Sequence, residues 1–69
     1  MVALYLFDHT VRFCQLNAKS ATLAANLFQL ARKCGASQEE LTRSARFLLS
    51  DVHNGNKLSQ ELYKKIAAQ

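Results

Sequence analysis

The sequence contains no proline or tryptophan, and only two glycines and two cysteines among its 69 residues. Both glycines follow residue 34, so residues 2–34 contain neither of the two residue types that most disfavour a helix. Cys14 and Cys34 form no CxxC pair, and with His9 and His53 they show no spacing typical of a metal site. We therefore expect no metal, no cofactor and no disulfide, and we expect both cysteines to be small buried side chains.

Long apolar runs and catalytic motifs are also missing. The longest wholly apolar run, residues 2–7, is far shorter than the roughly 20 residues that a membrane-spanning helix needs. It has neither the basic segment nor the cleavage site of a secretory signal, so we expect a cytoplasmic protein. No Gly-rich phosphate loop, nucleophile motif or carboxylate pair set in a cleft is present. We therefore predict neither an enzyme nor a small-molecule substrate.

From Leu4 to Phe28, every first and fourth position of a seven-residue repeat is apolar, which indicates an amphipathic helix within residues 2–34. This phase continues through Asn17 and Ser20, the weakest helix formers of the stretch, so we predict one continuous helix of about 50 Å. Small residues in its middle would allow an antiparallel copy to approach closely, and we predict a dimer interface. The interface residues are Leu4, Phe7, Val11, Cys14, Ala18, Ala21, Ala25 and Phe28.

A second apolar stripe runs roughly opposite the first. It consists of Leu6, Phe13, Leu16, Leu23, Leu27, Leu30 and Cys34. A helix that is apolar on two faces must be covered on both sides. We expect the rest of the chain to cover one face, and a second copy or a different protein to cover the other. A chain of this length buries only about 60% of the surface that its unfolded form exposes, which favours a homodimer.

A helical corner follows the long helix. Gly35 is placed as a helix-ending glycine, and Ser37 with Glu40 three residues later forms a capping box. We predict a turn over residues 35–37 and a second helix over about residues 38–53. The apolar line of this helix is Leu41, Ala45, Leu48 and Val52, widened by Leu49.

Residues 54–56, with the sequence Asn-Gly-Asn, indicate a second turn. Three apolar residues at helical spacing then predict a short third helix over about residues 57–67. Residues 1–69 thus form a single domain of the all-α class. The long helix and the two shorter helices are predicted to form a helical hairpin, assembled as a homodimeric bundle.

One aromatic residue of the second helix lies out of phase with its apolar line. Phe47 projects beside Arg43, and an aromatic ring bordered by guanidinium groups is the composition of binding hot spots. The alternatives are that Phe47 packs under the third helix or in a dimer contact. We predict a small regulatory protein that modulates or inhibits a larger protein target by occluding one of its functional surfaces. The predicted partner-binding residues are Arg43, Phe47, Arg46, Arg32 and Lys33.

Residues 30–43, Leu-Ala-Arg-Lys-Cys-Gly-Ala-Ser-Gln-Glu-Glu-Leu-Thr-Arg, resemble the helix-turn-helix of Cro and repressor-type regulators. The matching features are Ala31 four residues before Gly35, a Ser-Gln start to the next helix, and Leu41 six residues after the glycine. The resemblance implies a DNA-binding transcriptional regulator whose second helix enters the major groove. It would place Gln38, Glu39, Thr42, Arg43 and Arg46 against DNA.

Charge separates these two functions. The chain has a formal net charge of +4, but residues 37–53 carry three carboxylates against two arginines, a net charge of −1. Phosphate neutralisation supplies most of the non-specific affinity for DNA, so an acidic recognition helix favours the protein-binding function. Ser44 also occupies a position where the motif usually has a packed aliphatic residue. We keep nucleic-acid binding as the alternative.

Overall fold

The computed structural model describes residues 2–68, and these form an all-helical fold, as the sequence predicts. No strand occurs in this part of the chain. The elements are α1 (Val2–Phe13), α2 (Ala18–Lys33), α3 (Gln38–Ala45), a 3-10 turn (Arg46–Leu48), α4 (Leu49–His53) and α5 (Lys57–Ala67). None of the helices within residues 2–68 has both the length and the hydrophobicity needed to cross a bilayer.

The predicted continuous N-terminal helix is wrong, because residues 14–17 separate α1 from α2. Asn17 has an extended backbone (φ −133°), and its Oδ1 accepts hydrogen bonds from the N–H groups of Lys19 and Ser20, each at 3.0 Å. Ser20 Oγ in turn accepts a hydrogen bond from the N–H of Asn17 at 2.9 Å. This capping box satisfies N–H groups that would otherwise lack partners, so α2 begins anew at this point.

The helices α1 and α2 fold back on each other as an antiparallel hairpin. The ring centroids of Phe7 and Phe28 lie 6.0 Å apart between them. The loop is held against the rest of the chain because Leu16 is buried and its carbonyl accepts a hydrogen bond from Asn56 Nδ2 at 3.3 Å. The chain therefore covers its own N-terminal helix.

The stripe predicted as the dimer interface lies largely inside this fold. Phe7 and Phe28 are fully buried and Val11 is 4% exposed, so these three belong to the core of a single chain. The prediction that they contact a second copy is therefore wrong. Leu4, Ala21 and Ala25 are half-buried against the same core, whereas Cys14 and Ala18 are exposed.

The core lies between the α1–α2 hairpin and the helices α3 to α5. Its buried apolar members are Ala3, Phe7, Val11, Leu16, Ala24, Phe28, Ala31, Leu41, Ala45, Leu48, Leu62 and Ile66. The predicted burial of both cysteines is wrong, since Cys14 and Cys34 are exposed.

The two later helical segments match the sequence-based bounds closely. The capping box at Ser37 is present: Ser37 Oγ accepts a hydrogen bond from the N–H of Glu40, and Glu40 Oε1 accepts one from the N–H of Ser37, both at 3.1 Å. The predicted helix over residues 38–53 is helical throughout, but it tightens to 3-10 geometry at Arg46–Leu48. Both turn glycines have positive φ, +99° at Gly35 and +86° at Gly55, which side-chain-bearing residues rarely adopt.

Candidate functional site

The 3-10 turn directs Phe47 outward while it buries the next residue. Phe47 is 43% exposed, whereas Leu48 is fully buried. The guanidinium carbon of Arg12, on α1, lies 4.3 Å from the centroid of the Phe47 ring. A cation at this distance is attracted by the negative face of the ring. The contact therefore holds one rigid aromatic side chain and one guanidinium together at the surface.

A polar link between α1 and α3 supports this contact. Arg12 forms an ion pair with Asp8, with 3.4 Å between Nη2 and Oδ2. The other carboxylate oxygen of Asp8 accepts a hydrogen bond of 2.9 Å from Ser44 Oγ. Ser44 is buried and Asp8 half-buried, so water screens this link less than it screens the exposed ion pairs. Asp8 is thereby fixed in place, and it orients Arg12 toward Phe47.

Arg43 borders two neighbouring depressions. One is lined by Leu4, Tyr5, Asp8, Glu40, Arg43 and Ser44, and the other by Glu39, Thr42, Arg43 and Arg46. Arg43 Nη2 lies 3.2 Å from Glu39 Oε1, but both side chains are largely exposed. Such a pair contributes little to stability, so a binding partner could readily replace it. We call Tyr5, Arg12, Arg43, Arg46 and Phe47 together the Arg43–Phe47 surface.

The charges near this surface are balanced. Its three arginines face the carboxylates Asp8, Glu39 and Glu40. The pKa of Glu40 is lowered, first because its carboxylate accepts a hydrogen bond from the backbone N–H of Ser37 and also through the Ser37 side chain. Glu40 therefore remains charged at neutral pH, and the surface as a whole offers no strong positive potential.

The structure brings together only part of the predicted partner-binding set. Arg43, Arg46 and Phe47 lie on one surface, but Arg32 and Lys33 are exposed at the end of α2. Arg32 lies near the edge of the core, with its guanidinium carbon 6.0 Å from the Phe28 ring. No hydrogen bond, ion pair or shared depression within residues 2–68 joins Arg32 or Lys33 to the Arg43–Phe47 surface.

Arg12 and Tyr5 were not predicted as site residues. Their only local signal is the spacing of Asp8 and Arg12, an i, i+4 pair on one helix face. The contact between Arg12 and Phe47 joins residues far apart in the sequence, and it exists because α1 folds back at residues 14–17. A continuous helix over residues 2–34, as predicted, would not bring Arg12 to Phe47, so that prediction does not indicate the contact.

The segment that resembles a helix-turn-helix has different packing. Helix α3 packs mainly against α1 and α5, and much less against α2. Leu30 is 50% exposed and Cys34 is exposed, although both fall in the helix and turn that the motif would pack against its second helix. Gln38 Nε2 donates a hydrogen bond of 2.9 Å to the carbonyl of Ile66, which ties this amide to α5.

The remaining residues of the DNA-binding alternative lie on the outside of α3 and the 3-10 turn. Glu39, Arg43 and Arg46 are exposed, and Thr42 is half-buried. Ser44, which replaces the usual aliphatic residue, faces α1 because it donates its hydrogen bond to Asp8. The polar residue at this position therefore has a structural role in this fold.

Within residues 2–68, no three side chains of His, Cys, Asp or Glu lie close enough together to hold a metal ion. Comparisons of the chain with protein-family models, with curated proteins and with solved structures find no match.

Proposed function

We propose that this chain is a small non-enzymatic regulatory protein that binds a larger protein through the Arg43–Phe47 surface. The observation that carries the proposal is the Arg12 guanidinium 4.3 Å from an exposed Phe47 ring, with Arg43 and Arg46 nearby. Aromatic residues and arginines dominate binding energy at protein interfaces, because both gain much when a partner removes water from them. Binding would act sterically, by covering a functional surface of the target.

The rigidity of this surface supports the proposal. Asp8 and Ser44 hold Arg12 in position, so the chain loses little side-chain entropy when a partner docks. The balanced charges predict an association that depends weakly on salt. This charge balance favours a protein partner over DNA, since each phosphate contact would steepen the salt dependence.

The first experiment identifies the target. A photoreactive phenylalanine analogue replaces Phe47 in the full chain, which is irradiated in cells and analysed by mass spectrometry. A control chain carries the same analogue in place of Leu49, which is equally exposed at 43%. We expect a crosslinked protein specific to position 47. Identical crosslinks from both positions would contradict the proposed surface.

The second experiment measures the affinity of the purified target for the double variant Phe47→Ala, Arg43→Ala. Losing a hot-spot side chain costs at least about 2 kcal/mol, so we expect binding to weaken by at least about 30-fold. Far-UV circular dichroism and solution mass should stay unchanged, because both side chains are exposed. Leu49→Ala serves as the matched control. Unchanged binding by the double variant would refute the site assignment.

DNA binding is the second candidate function. It is favoured by the resemblance of residues 30–43 to a helix-turn-helix, and by the exposed Arg43 and Arg46, which line the same depression. It predicts affinity for a DNA duplex that falls by about 0.9 log unit per log unit of salt for each phosphate contacted. A salt-independent association with a protein target would exclude it as the main activity.

We also propose that the protein acts as a homodimer. The support is its small size and the amount of apolar surface that the fold leaves exposed. The buried stripe that contains Phe7, Val11 and Phe28 cannot provide the contact, so a different face must do so. The cytoplasmic location predicted from the sequence stays a prediction.

A further inference from the structure

The second apolar stripe of the sequence remains largely uncovered in the fold. Phe13 is 69% exposed, and Leu23 and Leu30 are each 50% exposed. Such large side chains are exposed singly on many proteins, but here they follow two neighbouring helices. We call this set the outer face of the hairpin: Val2, Leu6 and Phe13 on α1, with Leu23 and Leu30 on α2, the half-buried Leu27 at its inner edge, and Cys34 just after the end of α2.

On α1, the residues of the outer face lie on the side of the helix next to α2. Asp8 lies on the side of α1 that meets α3, because it accepts the hydrogen bond from Ser44. Phe7 meets Phe28 of α2, and Thr10 and Ala3 are buried on the side of Phe7 that lies away from Asp8. At about 100° per residue, Leu6 lies close to Thr10 and on the side away from Asp8. The exposed stripe of α1 therefore borders the contact between the two helices.

The exposed leucines of α2 lie on the side of this helix away from α5. Ala21 and Ala25 share a depression with Leu62 of α5, so this side of α2 meets the C-terminal helix. Leu23 and Leu30 lie on the opposite side of α2 from Ala25. The two stripes thus flank the α1–α2 contact and form one continuous apolar face, on the side of the hairpin away from α3 to α5.

This face is large enough for the apolar centre of a stable interface. Helices of 12 and 16 residues are about 18 and 24 Å long, and two adjacent helices are about 20 Å wide. The projected area is on the order of 400 Å², and the protruding side chains and the rim add to it. A standard interface buries about 800 Å² per partner, with an apolar centre and a polar rim. The face therefore supplies about half of that area as the apolar centre, and the rim around it has to supply the rest.

We propose that a second copy of the chain covers the outer face of the hairpin, an inference that rests on the proposed homodimer. None of the seven side chains carries a charge, so the face can be buried against itself without leaving an unpaired charge. Leu23, Leu27, Leu30 and Cys34 are spaced by four, three and four residues, the spacing at which helices interlock along a seam.

Two-fold symmetry then determines the assembly. When two identical helical hairpins meet face to face with their helices aligned, each helix packs against an antiparallel neighbour from the other copy. The product is a four-helix bundle of α1 and α2 from both copies, with antiparallel neighbours throughout. Arg43, Arg46 and Phe47 of the Arg43–Phe47 surface lie on α3 and the 3-10 turn, outside this face, so they stay accessible in the dimer. Arg12 lies at the edge of the face, since its guanidinium carbon is 5.8 Å from the Phe13 ring and 4.3 Å from the Phe47 ring.

Charge gives this assembly a distinctive salt dependence. Lys19 and Lys33 flank the exposed stripe of α2, and α2 contains no carboxylate. Two copies that meet through this face bring like charges toward each other, and salt screens that repulsion. Self-association should therefore tighten as salt is added. An acidic helix from another protein, the alternative occupant, would bind more weakly under the same conditions.

The test compares the solution mass of the full chain with that of two variants, by light scattering over a range of protein concentrations. Leu30→Lys places a charge within the face, whereas the control Leu49→Lys changes a similarly exposed leucine of α4. We expect twice the chain mass of 7.7 kDa for the wild type and for Leu49→Lys. Leu30→Lys should have the mass of a single chain and unchanged far-UV circular dichroism.

Each other outcome overturns a defined part of the inference. A wild-type dimer that persists in Leu30→Lys refutes this face but leaves the homodimer standing. A wild-type monomer at all concentrations refutes both. Should Leu30→Lys lose helicity, Leu23→Gln tests the same face with an uncharged change, and it must also dissociate the dimer. A dimer that weakens as salt is added would refute the proposed like-charged contact.

Discussion

The change Phe28→Leu tests whether Phe28 belongs to the core of one chain or to a subunit interface. The Phe28 side chain is fully buried, and its ring centroid lies 6.0 Å from that of Phe7. Leucine removes this ring pair, worth about 0.5–1.5 kcal/mol, and leaves a small void. We therefore expect the free energy of unfolding to fall by about 1–3 kcal/mol. For a domain of this size each kcal/mol lowers the Tm by about 4–8 °C.

Leucine is a better probe than alanine at this position. A Phe→Ala change in a core costs about 3–5 kcal/mol, and a chain of 69 residues has a total stability of only about 3–10 kcal/mol. Alanine could therefore unfold the chain and hide the cause of the loss, whereas Phe28→Leu should remain folded and measurable.

The assay is urea unfolding followed by far-UV circular dichroism at several protein concentrations. Because Phe28 lies in the core of a single chain, the loss should be the same at every concentration. The control Phe13→Leu changes a ring that is 69% exposed, and at low protein concentration it should shift the stability by less than about 0.5 kcal/mol. A Phe28→Leu loss that appears only at high concentration would place Phe28 in a subunit interface and refute the hairpin.

Two further changes test local features of the fold. Ser59 is fully buried on α5 and its Oγ has no hydrogen-bond partner among residues 2–68. Ser59→Ala should therefore raise the free energy of unfolding by about 1 kcal/mol, measured by urea unfolding against the exposed control Ser50→Ala. The lowered pKa of Glu40 means that its contribution to stability is present above the unfolded-state value of 4.5 and is lost as the pH falls through the lower folded-state value. The drop in Tm on acidification should accordingly be smaller in Glu40→Gln than in the wild type, and an unchanged pH profile would contradict the role of the Ser37 hydrogen bonds.

The corner between α2 and α3 could be predicted from the sequence because its signals are local. Ser37 and Glu40 form both hydrogen bonds of the predicted capping box, and Gly35 has the positive φ that its position after a helix implies. A capping box involves residues three apart, so it is independent of how the rest of the chain packs. The bounds of the third helix were predicted for the same reason, from a turn followed by helical spacing.

The break at residues 14–17 could not be inferred from hydrophobic spacing alone. The loop separates two helices whose apolar residues continue in the same phase, so the pattern does not distinguish one long helix from a hairpin. The available signal was the pair Asn17 and Ser20, which combines a strong N-cap residue with a hydroxyl at N3. Low helix propensity at these two residues does not by itself predict a break, but the Asn17 cap together with burial of Leu16 in the loop stabilises one.

The prediction of an unbroken helix also explains the error in assigning the two apolar stripes. A single long helix offers no basis for deciding which stripe the rest of the chain covers. Once α1 and α2 fold together, the stripe with Phe7 and Phe28 meets α3 and α5, and the stripe with Leu23 and Leu30 is left outside. The prediction that one of the stripes is covered by an additional partner stays a prediction, and in this fold it concerns the second stripe.

The same hairpin creates the Arg43–Phe47 surface. Arg12 lies one residue before the end of α1, and it reaches Phe47 only because the loop at residues 14–17 turns the chain back. Ser44 also contributes, because its hydroxyl donates a hydrogen bond to Asp8, and Asp8 forms an ion pair with Arg12. Ser44 is the residue at which the chain departs from the helix-turn-helix pattern. A larger aliphatic residue at position 44 would remove that hydrogen bond and crowd α1. The residue that departs from the DNA-binding pattern thus supports the surface proposed to bind a protein.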